Sequence, residues 1–126
     1  MRAPERLRGL RVVADPAALD AARWRGDGVT VLRLAPDDAF AIGAVDVDVA
    51  DEHAIVESEV GFVGAWLPLD DVLPHVEWSM PSGRPALAQG SIAGVPAKIW
   101  LPAGDDSDVL LLTNAAYADE LAGRLR

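Results

Sequence analysis

The sequence predicts an α+β fold, with a mixed, largely antiparallel sheet and two or three helices packed on one face. The 126 residues are a length typical of one domain. Short apolar runs, alternating or continuous, are separated by glycine, proline and acidic turn residues, which is typical of strands. Three other segments begin with helix-capping or first-turn signals. We therefore expect residues 1–126 to form a single domain.

The first helix is predicted near the amino terminus. Asp15 can cap it, and Pro16 suits the first helical position because the amide hydrogen that proline lacks is unpaired there in any helix. We expect the helix to extend over residues 16–24, with Trp24 sealing it, until the Gly26-Asp27-Gly28 turn ends it.

A hairpin and further strands are predicted after this turn. Residues 29–34 and 39–43 are rich in apolar residues and flank the turn Pro36-Asp37-Asp38. Val and Asp alternate over residues 44–49, the pattern of a strand with one buried face. The remaining predicted elements are strands at 53–57, 61–67, 86–90, 91–101 and 109–113 and short helices at 68–76 and 115–125.

The sequence also predicts where one strand lies in the sheet and where the last helix begins. Residues 109–113 form a continuous apolar run, which is typical of a central strand. Thr113 or Asn114 is expected to cap the last helix, because both residue types accept hydrogen bonds from free amides at a helix start.

Composition excludes several classes of function. The chain has no cysteine, which excludes disulfides, thiol catalysis and cysteine-ligated metal centres. No apolar run approaches about 18 residues, so no membrane-spanning helix and no membrane partner is predicted. Residues 1–10 lack the apolar core of a signal peptide, so we expect a cytoplasmic protein.

The charge is unevenly distributed along the chain. Residues 34–126 hold 16 of the 20 acidic residues and four of the 11 basic ones. Such an acidic surface repels phosphate backbones, so no nucleic-acid partner is predicted. The segment 1–13 is basic, and one interpretation is a nucleic-acid-binding arm, although it lacks aromatic residues for stacking. Its arginines are Arg2, Arg6, Arg8 and Arg11.

A second interpretation of segment 1–13 starts from its apolar residues. These could dock as an edge strand and hold the arginines against the acidic surface of the domain. The residues in question are Leu7, Leu10, Val12 and Val13.

Neither a catalytic site nor a metal site is predicted. No serine lies in a Gly-x-Ser-x-Gly elbow, and His53 and His75 fall on separate elements without metal-ligand spacing. Glu57 and Glu59 could divide acid and base roles from one strand face, but such a pair more commonly faces water. No glycine-rich segment has the lysine and following helix of a phosphate loop. No cofactor is therefore expected.

The most unusual segment is residues 78–90, which combines Trp78, Met80, Arg84 and Gln89 in and beside a predicted loop. Loops on a rigid scaffold commonly carry binding, and tryptophan, methionine and arginine are enriched at interfaces. The alternative is that Trp78 only plugs the end of the core. The sequence leaves both interpretations open.

Two regions of the sequence resemble a known family. Residues 31–43, with their Pro-Asp-Asp turn, resemble the strand–turn–strand of the gamma subunit of heterotetrameric sarcosine oxidase. Residues 91–100 and 109–113, with the helix that contains 117–121, are similar to the carboxy-terminal stretch of that family. The wider relatives are the folate-binding aminomethyltransferases of glycine cleavage.

The chain also departs from these relatives. The aminomethyltransferases have an acidic pair shortly after the glycine that Gly94 matches, whereas this chain has Pro96-Ala97-Lys98. The cysteine motif of the related iron–sulfur assembly proteins is absent. The resemblance therefore implies a scaffold that kept the fold without the chemistry. Fold by itself does not carry function.

The leading functional hypothesis is a non-catalytic accessory or interaction domain. It would self-associate or form a subunit of a larger oxidoreductase-type complex, with Trp78, Met80 and Arg84 at the contact. An enzyme is the less favoured interpretation, because no catalytic constellation is apparent.

The alternative is a small-molecule-binding protein or a minor enzyme, with a carboxylate or folate-like ligand. The pocket would lie between the sheet and the loop, lined by Trp66, Trp78, Arg84 and Gln89. Arg84 would clamp a carboxylate with its planar guanidinium group. Trp66 and Trp100 are otherwise expected in the core, because each lies in a strand of alternating pattern.

Overall fold

The computed structural model of the protein describes residues 4–104 and 108–125. These residues form two compact units. The N-terminal unit consists of residues 7–60, and the C-terminal unit of residues 4–6, 61–104 and 108–125. The single-domain expectation stays a prediction. In the described part of the chain, no helix is long and apolar enough to cross a membrane.

The α+β prediction is wrong, because antiparallel strands dominate the structure. Strands account for 58% of the described residues and helical segments for 18%. Each α-helix buries at most two side chains, so the helices are too short to form a layer over one face of a sheet. The α-helices are Pro16–Asp20 (α1), Leu69–Val72 (α2) and Ala118–Arg124 (α3), and 3₁₀ turns at Leu73–His75 and Ala115–Tyr117 adjoin the last two.

The N-terminal unit contains antiparallel strands in the order β2-β3-β1. The predicted hairpin is confirmed, since Leu32 pairs with Phe40 across the turn. The unit also includes the first residues, up to Val60, of a fourth strand. The strands are Glu5–Val13 (β1), Arg23–Ala35 (β2), Asp38–Asp48 (β3) and Ile55–Pro68 (β4).

The β2–β3 hairpin is longer than predicted and includes the end of the predicted first helix. Trp24 pairs with Val47 as part of β2, whereas α1 ends at Asp20. Trp24 therefore packs against the core of the N-terminal unit from a strand and does not seal a helix.

Two features of the sequence favour this longer hairpin. Arg25 forms ion pairs with Asp46 and Asp48, which recur on one face of the alternating Val–Asp segment of β3. Gly26, with φ 155°, lets β2 approach Gly43 so closely that a Cβ would lie 2.2 Å from the carbonyl oxygen of Gly43. The expected break at Gly26 is therefore an irregularity within one strand.

The basic amino-terminal segment forms β1 and pairs with β3. Leu10 and Val12 are buried in the core of the N-terminal unit, while Val13 is exposed. The prediction that apolar residues of this segment dock as a strand is confirmed for Leu10 and Val12, but the expected edge position is wrong, because β1 lies between β3 and β4. Arg2 lies outside the described residues.

Arg11 of β1 binds two acidic side chains in the N-terminal unit. Its Nε donates to Oδ1 of Asp38 at 2.6 Å, and its Nη1 donates to Oε1 of Glu59 at 2.9 Å. The hydrogen bond to Asp38 contributes most to the raised pKa of Arg11. All three side chains are only partly exposed. The expected pairing of an amino-terminal arginine with acidic residues is therefore present.

The C-terminal unit contains antiparallel strands in the order β4-β7-β6-β5. Strand β4 is continuous where the sequence predicted two strands, 53–57 and 61–67. The side chain of Asn114 accepts a hydrogen bond from the amide of Ala116 at 3.0 Å, which confirms Asn114, one of two alternatives, as the cap of the last helical segment. The predicted Asp15 cap is wrong, because the Asp15 side chain makes no capping hydrogen bond to α1. The other strands of this unit are Ala86–Ile92 (β5), Val95–Leu101 (β6) and Asp108–Asn114 (β7).

Strand β7 is central in the C-terminal unit, as predicted, because it pairs with β4 on one side and β6 on the other. Leu111 lies opposite Ala65 and Ile99 and is 3% exposed. The apolar core of this unit collects on the face of the sheet to which Leu111 points.

Replacing Leu111 by Asp should destabilise the protein strongly. The substitution buries an unpaired charge and removes apolar contacts, so we expect the free energy of unfolding to fall by about 3 kcal/mol or more. Leu73→Asp is the matched control, because Leu73 is 40% exposed in the same unit and should cost less than about 1 kcal/mol. Urea denaturation measures both. Equal losses in the two variants would contradict the central position of β7.

Asp51 provides a pH-dependent contribution to stability in the N-terminal unit. Its carboxylate accepts hydrogen bonds from the amides of Asp15 at 2.8 Å and His53 at 2.9 Å, and these lower the pKa of Asp51. A group whose pKa is lower in the folded state stabilises above its unfolded pKa, and this stabilisation is lost as the pH falls through the folded value. At pH 7 the melting temperature of wild type should therefore be higher than that of Asp51→Asn, and the difference between the two should narrow below about pH 4. Thermal melts of both proteins between pH 7 and pH values below about 4 measure this difference. A difference that does not vary with pH would contradict the role of Asp51.

Candidate functional site

The loop between the Leu73–His75 turn and β5 holds three of the five predicted site residues. Trp78 Nε1 donates to the carbonyl oxygen of Ser91 at 2.9 Å, and the Trp78 ring lies directly over Gly90. Trp78 and Met80 are partly buried and pack against the core of the C-terminal unit. These contacts favour the interpretation that Trp78 closes the end of this core.

Arg84 belongs to the same loop and is exposed. Among the described residues, no carboxylate forms an ion pair with Arg84. Arg84 is also absent from the residues that line the groove around Gln89. The structure therefore does not combine Arg84 and Gln89 in one pocket.

Trp66 lies on the sheet face opposite the core of the C-terminal unit. Its strand neighbours Ala65 and Leu67 are buried, and alternation along a strand turns Trp66 to the other face. Trp66 is 40% exposed, so the expectation that it is a core residue is wrong. Trp100 lies on the same face as Trp66, because both tryptophans lie opposite Leu110 of β7. The Trp100 side chain is half-buried.

Gln89 lines an open groove of about 430 Å³ in the C-terminal unit. Nζ of Lys98 donates to Oε1 of Gln89 at 2.8 Å and lies 6.0 Å from the centroid of the Phe62 ring. Gln89 and Lys98 are direct cross-strand neighbours of β5 and β6, so the strand register sets this pair. Tyr117 lines the groove from the 3₁₀ turn after β7.

Three residues of this groove were not predicted from the sequence: Lys98, Phe62 and Tyr117. One signal was available, since Lys98 is the single lysine of a chain with 11 basic residues. Alternation along this strand gave no second signal, because Trp100 was expected in the core, whereas the structure turns both Trp100 and Lys98 to the opposite face. The approach of Phe62 and Tyr117 depends on strand pairing and could not be read from local patterns.

The groove has the size and lining of a small-molecule site. Its volume lies within the roughly 300–1,000 Å³ of ligand pockets, and it combines aromatic side chains with a few polar groups. The Lys98 ammonium group gives it a positive charge in a chain of net charge −9. Such a lining can hold an anionic group beside an aromatic or apolar one.

The residues considered for acid–base or metal chemistry do not come together. Glu59 is bound to Arg11, and His53 is highly exposed with its Nε2 3.4 Å from Oε1 of Glu52. His75 lies in the 3₁₀ turn of the C-terminal unit. In residues 4–104 and 108–125, no three histidine, aspartate or glutamate side chains group as metal ligands.

Comparison with known proteins identifies a shared fold. No protein-family model matches the sequence. No curated protein matches it either. Among solved structures, a chain of heterotetrameric sarcosine oxidase from Corynebacterium sp. U-96, in complex with pyrrole 2-carboxylate, is similar with a TM-score of 0.68 and 15% identity. The similarity covers 97% of this chain and 79% of that chain.

This similarity confirms the predicted resemblance only as a resemblance of fold to a chain of that complex. At 15% identity the shared feature is the fold, and the matched chain is not identified as a particular subunit. The finer prediction of a gamma-subunit relative, and of kinship with aminomethyltransferases, stays a prediction.

Replacing Gly90 by Ala should displace Trp78. A Cβ at residue 90 would lie 2.8 Å from Trp78 Nε1 and 2.9 Å from its Cε2, so the ring must move and its bond to Ser91 weakens. We expect a loss of about 1–3 kcal/mol in unfolding free energy, with a changed near-ultraviolet circular dichroism spectrum. Gly83→Ala is the control, because a Cβ there meets nothing within 4 Å. An unchanged spectrum in the Gly90 variant would contradict this packing.

Proposed function

We propose that this chain is a non-catalytic accessory subunit of a larger oxidoreductase-type complex, related to the gamma subunit of heterotetrameric sarcosine oxidase. One observation carries the proposal. The fold matches a chain of that heterotetramer over 97% of the present chain. A domain of this kind would act in an assembly with a larger polypeptide, in the cytoplasm.

Two of the predicted site residues support a role in association. Trp66 and Arg84 are exposed, and both residue types are enriched in the energetically important parts of interfaces. Trp78 and Met80 would contribute indirectly, because their packing on the core fixes the loop that presents Arg84.

Purification from the native host tests this proposal. A tagged full chain should elute with a larger polypeptide at fixed stoichiometry, and mass spectrometry should identify that polypeptide as an oxidoreductase component. Light scattering during elution gives the mass of the assembly. Elution as a monomer or as a homo-oligomer alone would overturn the proposal.

The groove at Lys98 favours a second candidate function, the binding of a small carboxylate. In this alternative the Lys98 ammonium group pairs with the carboxylate, and Phe62 and Tyr117 contact the apolar part of the ligand. Of the four residues first expected to line a carboxylate pocket, this groove includes Gln89. Trp66, Trp78 and Arg84 are absent from its lining.

A thermal-shift screen with benzoate, glutamate and folate tests the second candidate. A carboxylate at 100 times its dissociation constant should add about 2.7 kcal/mol to the free energy of unfolding. Lys98→Gln should abolish this stabilisation, whereas Arg84→Gln should retain it. The absence of any shift would overturn the groove as a carboxylate site. Loss of the shift only in the Arg84 variant would locate the site in the loop instead.

A further inference from the structure

One surface of the N-terminal unit exposes branched apolar side chains. Val45 is 78% exposed, Val56 46% and Val60 45%. Val56, Ser58 and Val60 share one face of β4, because alternate residues of a strand point the same way. Val45, Ser58 and Val60 surround a single open depression of about 400 Å³. We call Val45, Val56, Ser58 and Val60, together with Arg8 at the same depression, the valine–Arg8 patch.

The floor of this depression is formed by small residues, which explains its shape. Gly9 and Gly43 line it and have no side chain to fill it. A Cβ at Gly9 would lie 1.9 Å from the carbonyl oxygen of Ala41, so β1 and β3 can approach only with glycine at this position. The depression is therefore a feature of the folded backbone, and its size suits an apolar side chain from outside.

Arg8 supplies the charge of this patch. It is exposed, and within residues 4–104 and 108–125 no carboxylate forms an ion pair with it. Four other arginines of the chain form ion pairs with acidic residues, which outnumber basic ones by 20 to 11. The paired arginines are Arg11, Arg25, Arg33 and Arg124. Arginine beside exposed apolar residues is typical of protein interfaces.

We infer that the valine–Arg8 patch binds a different, larger protein through an apolar side chain that enters the depression and a carboxylate that pairs with Arg8. This inference rests on the proposed function and names a further surface, besides Trp66 and Arg84, that would take part in it. A second copy of the chain fits less well, because a twofold interface places the same patch against itself. Of the described residues, one arginine and no acidic residue line the depression, so two copies would oppose like charges.

The test uses the polypeptide that co-purifies with the full chain from the native host, once mass spectrometry has identified it. Arg8→Glu and the double variant Val45→Ser/Val60→Ser should each weaken binding to that purified polypeptide by about tenfold or more. Arg23→Glu and Val13→Ser are matched controls, an exposed arginine and an exposed valine of the same unit outside the patch, and should bind within about twofold of wild type. Isothermal titration calorimetry measures all four variants.

A cross-linking measurement keeps the inference testable without destabilising substitutions. A photoreactive residue at position 45 should form a covalent product with the same polypeptide, whereas one at position 13 should form none. Wild-type affinity in both patch variants would overturn the patch while leaving the proposed complex intact. A cross-linked homodimer from position 45 would identify a second copy as the occupant and overturn the inference. Failure of the wild-type chain to co-purify would instead overturn the proposed function itself.

Discussion

Burial of β7 between β4 and β6 is the constraint on which the rest of the C-terminal unit depends. Residues 109–113 are at most 4% exposed, although alternate side chains point to opposite faces of the sheet. Leu111 faces the apolar core, and Leu110 lies between Trp66 and Trp100 on the other side. Thr113 is the polar exception, and its hydroxyl group donates to the carbonyl oxygen of Pro96 at 2.7 Å. A strand buried on both faces thus sets the register of its neighbours.

The groove at Lys98 is a consequence of that register. In β6 the buried residues Ala97 and Ile99 flank Lys98, so the pairing that buries them turns the lysine to the opposite face beside Gln89. A slip of one residue would place the ammonium group in the apolar core, which is energetically prohibitive without a partner. The same alternation turns Trp66 and Gln89 to the face opposite the core. Trp78 and Met80 instead pack against the core from the loop before β5.

Among the described residues, ion pairs are more numerous in the N-terminal unit than in the C-terminal unit. Arg11 joins Asp38 and Glu59, and Arg25 joins two aspartates of β3, so arginines neutralise part of a strongly acidic surface. Exposed pairs of this kind contribute at most about 1 kcal/mol each, and most of the stability of this unit must come from its apolar core. Their structural effect is to favour one pairing of β2 and β3, whereas Arg8 forms no ion pair among the described residues.

The sequence by itself determined the elements whose signals are local. Turn chemistry at Pro36, the apolar run at 109–113 and the cap at Asn114 were all predictable, because each depends on neighbouring residues. Tertiary structure decided the rest. Cross-strand pairing extended β2 over Trp24, where the sequence predicted a helix. A helix of five residues is only marginally stable by its own hydrogen bonds, so the residues after α1 pair with β3 and the predicted layer of helices does not form. The groove and the valine–Arg8 patch join residues that are distant in the chain, and only the packing of strands brings such residues together.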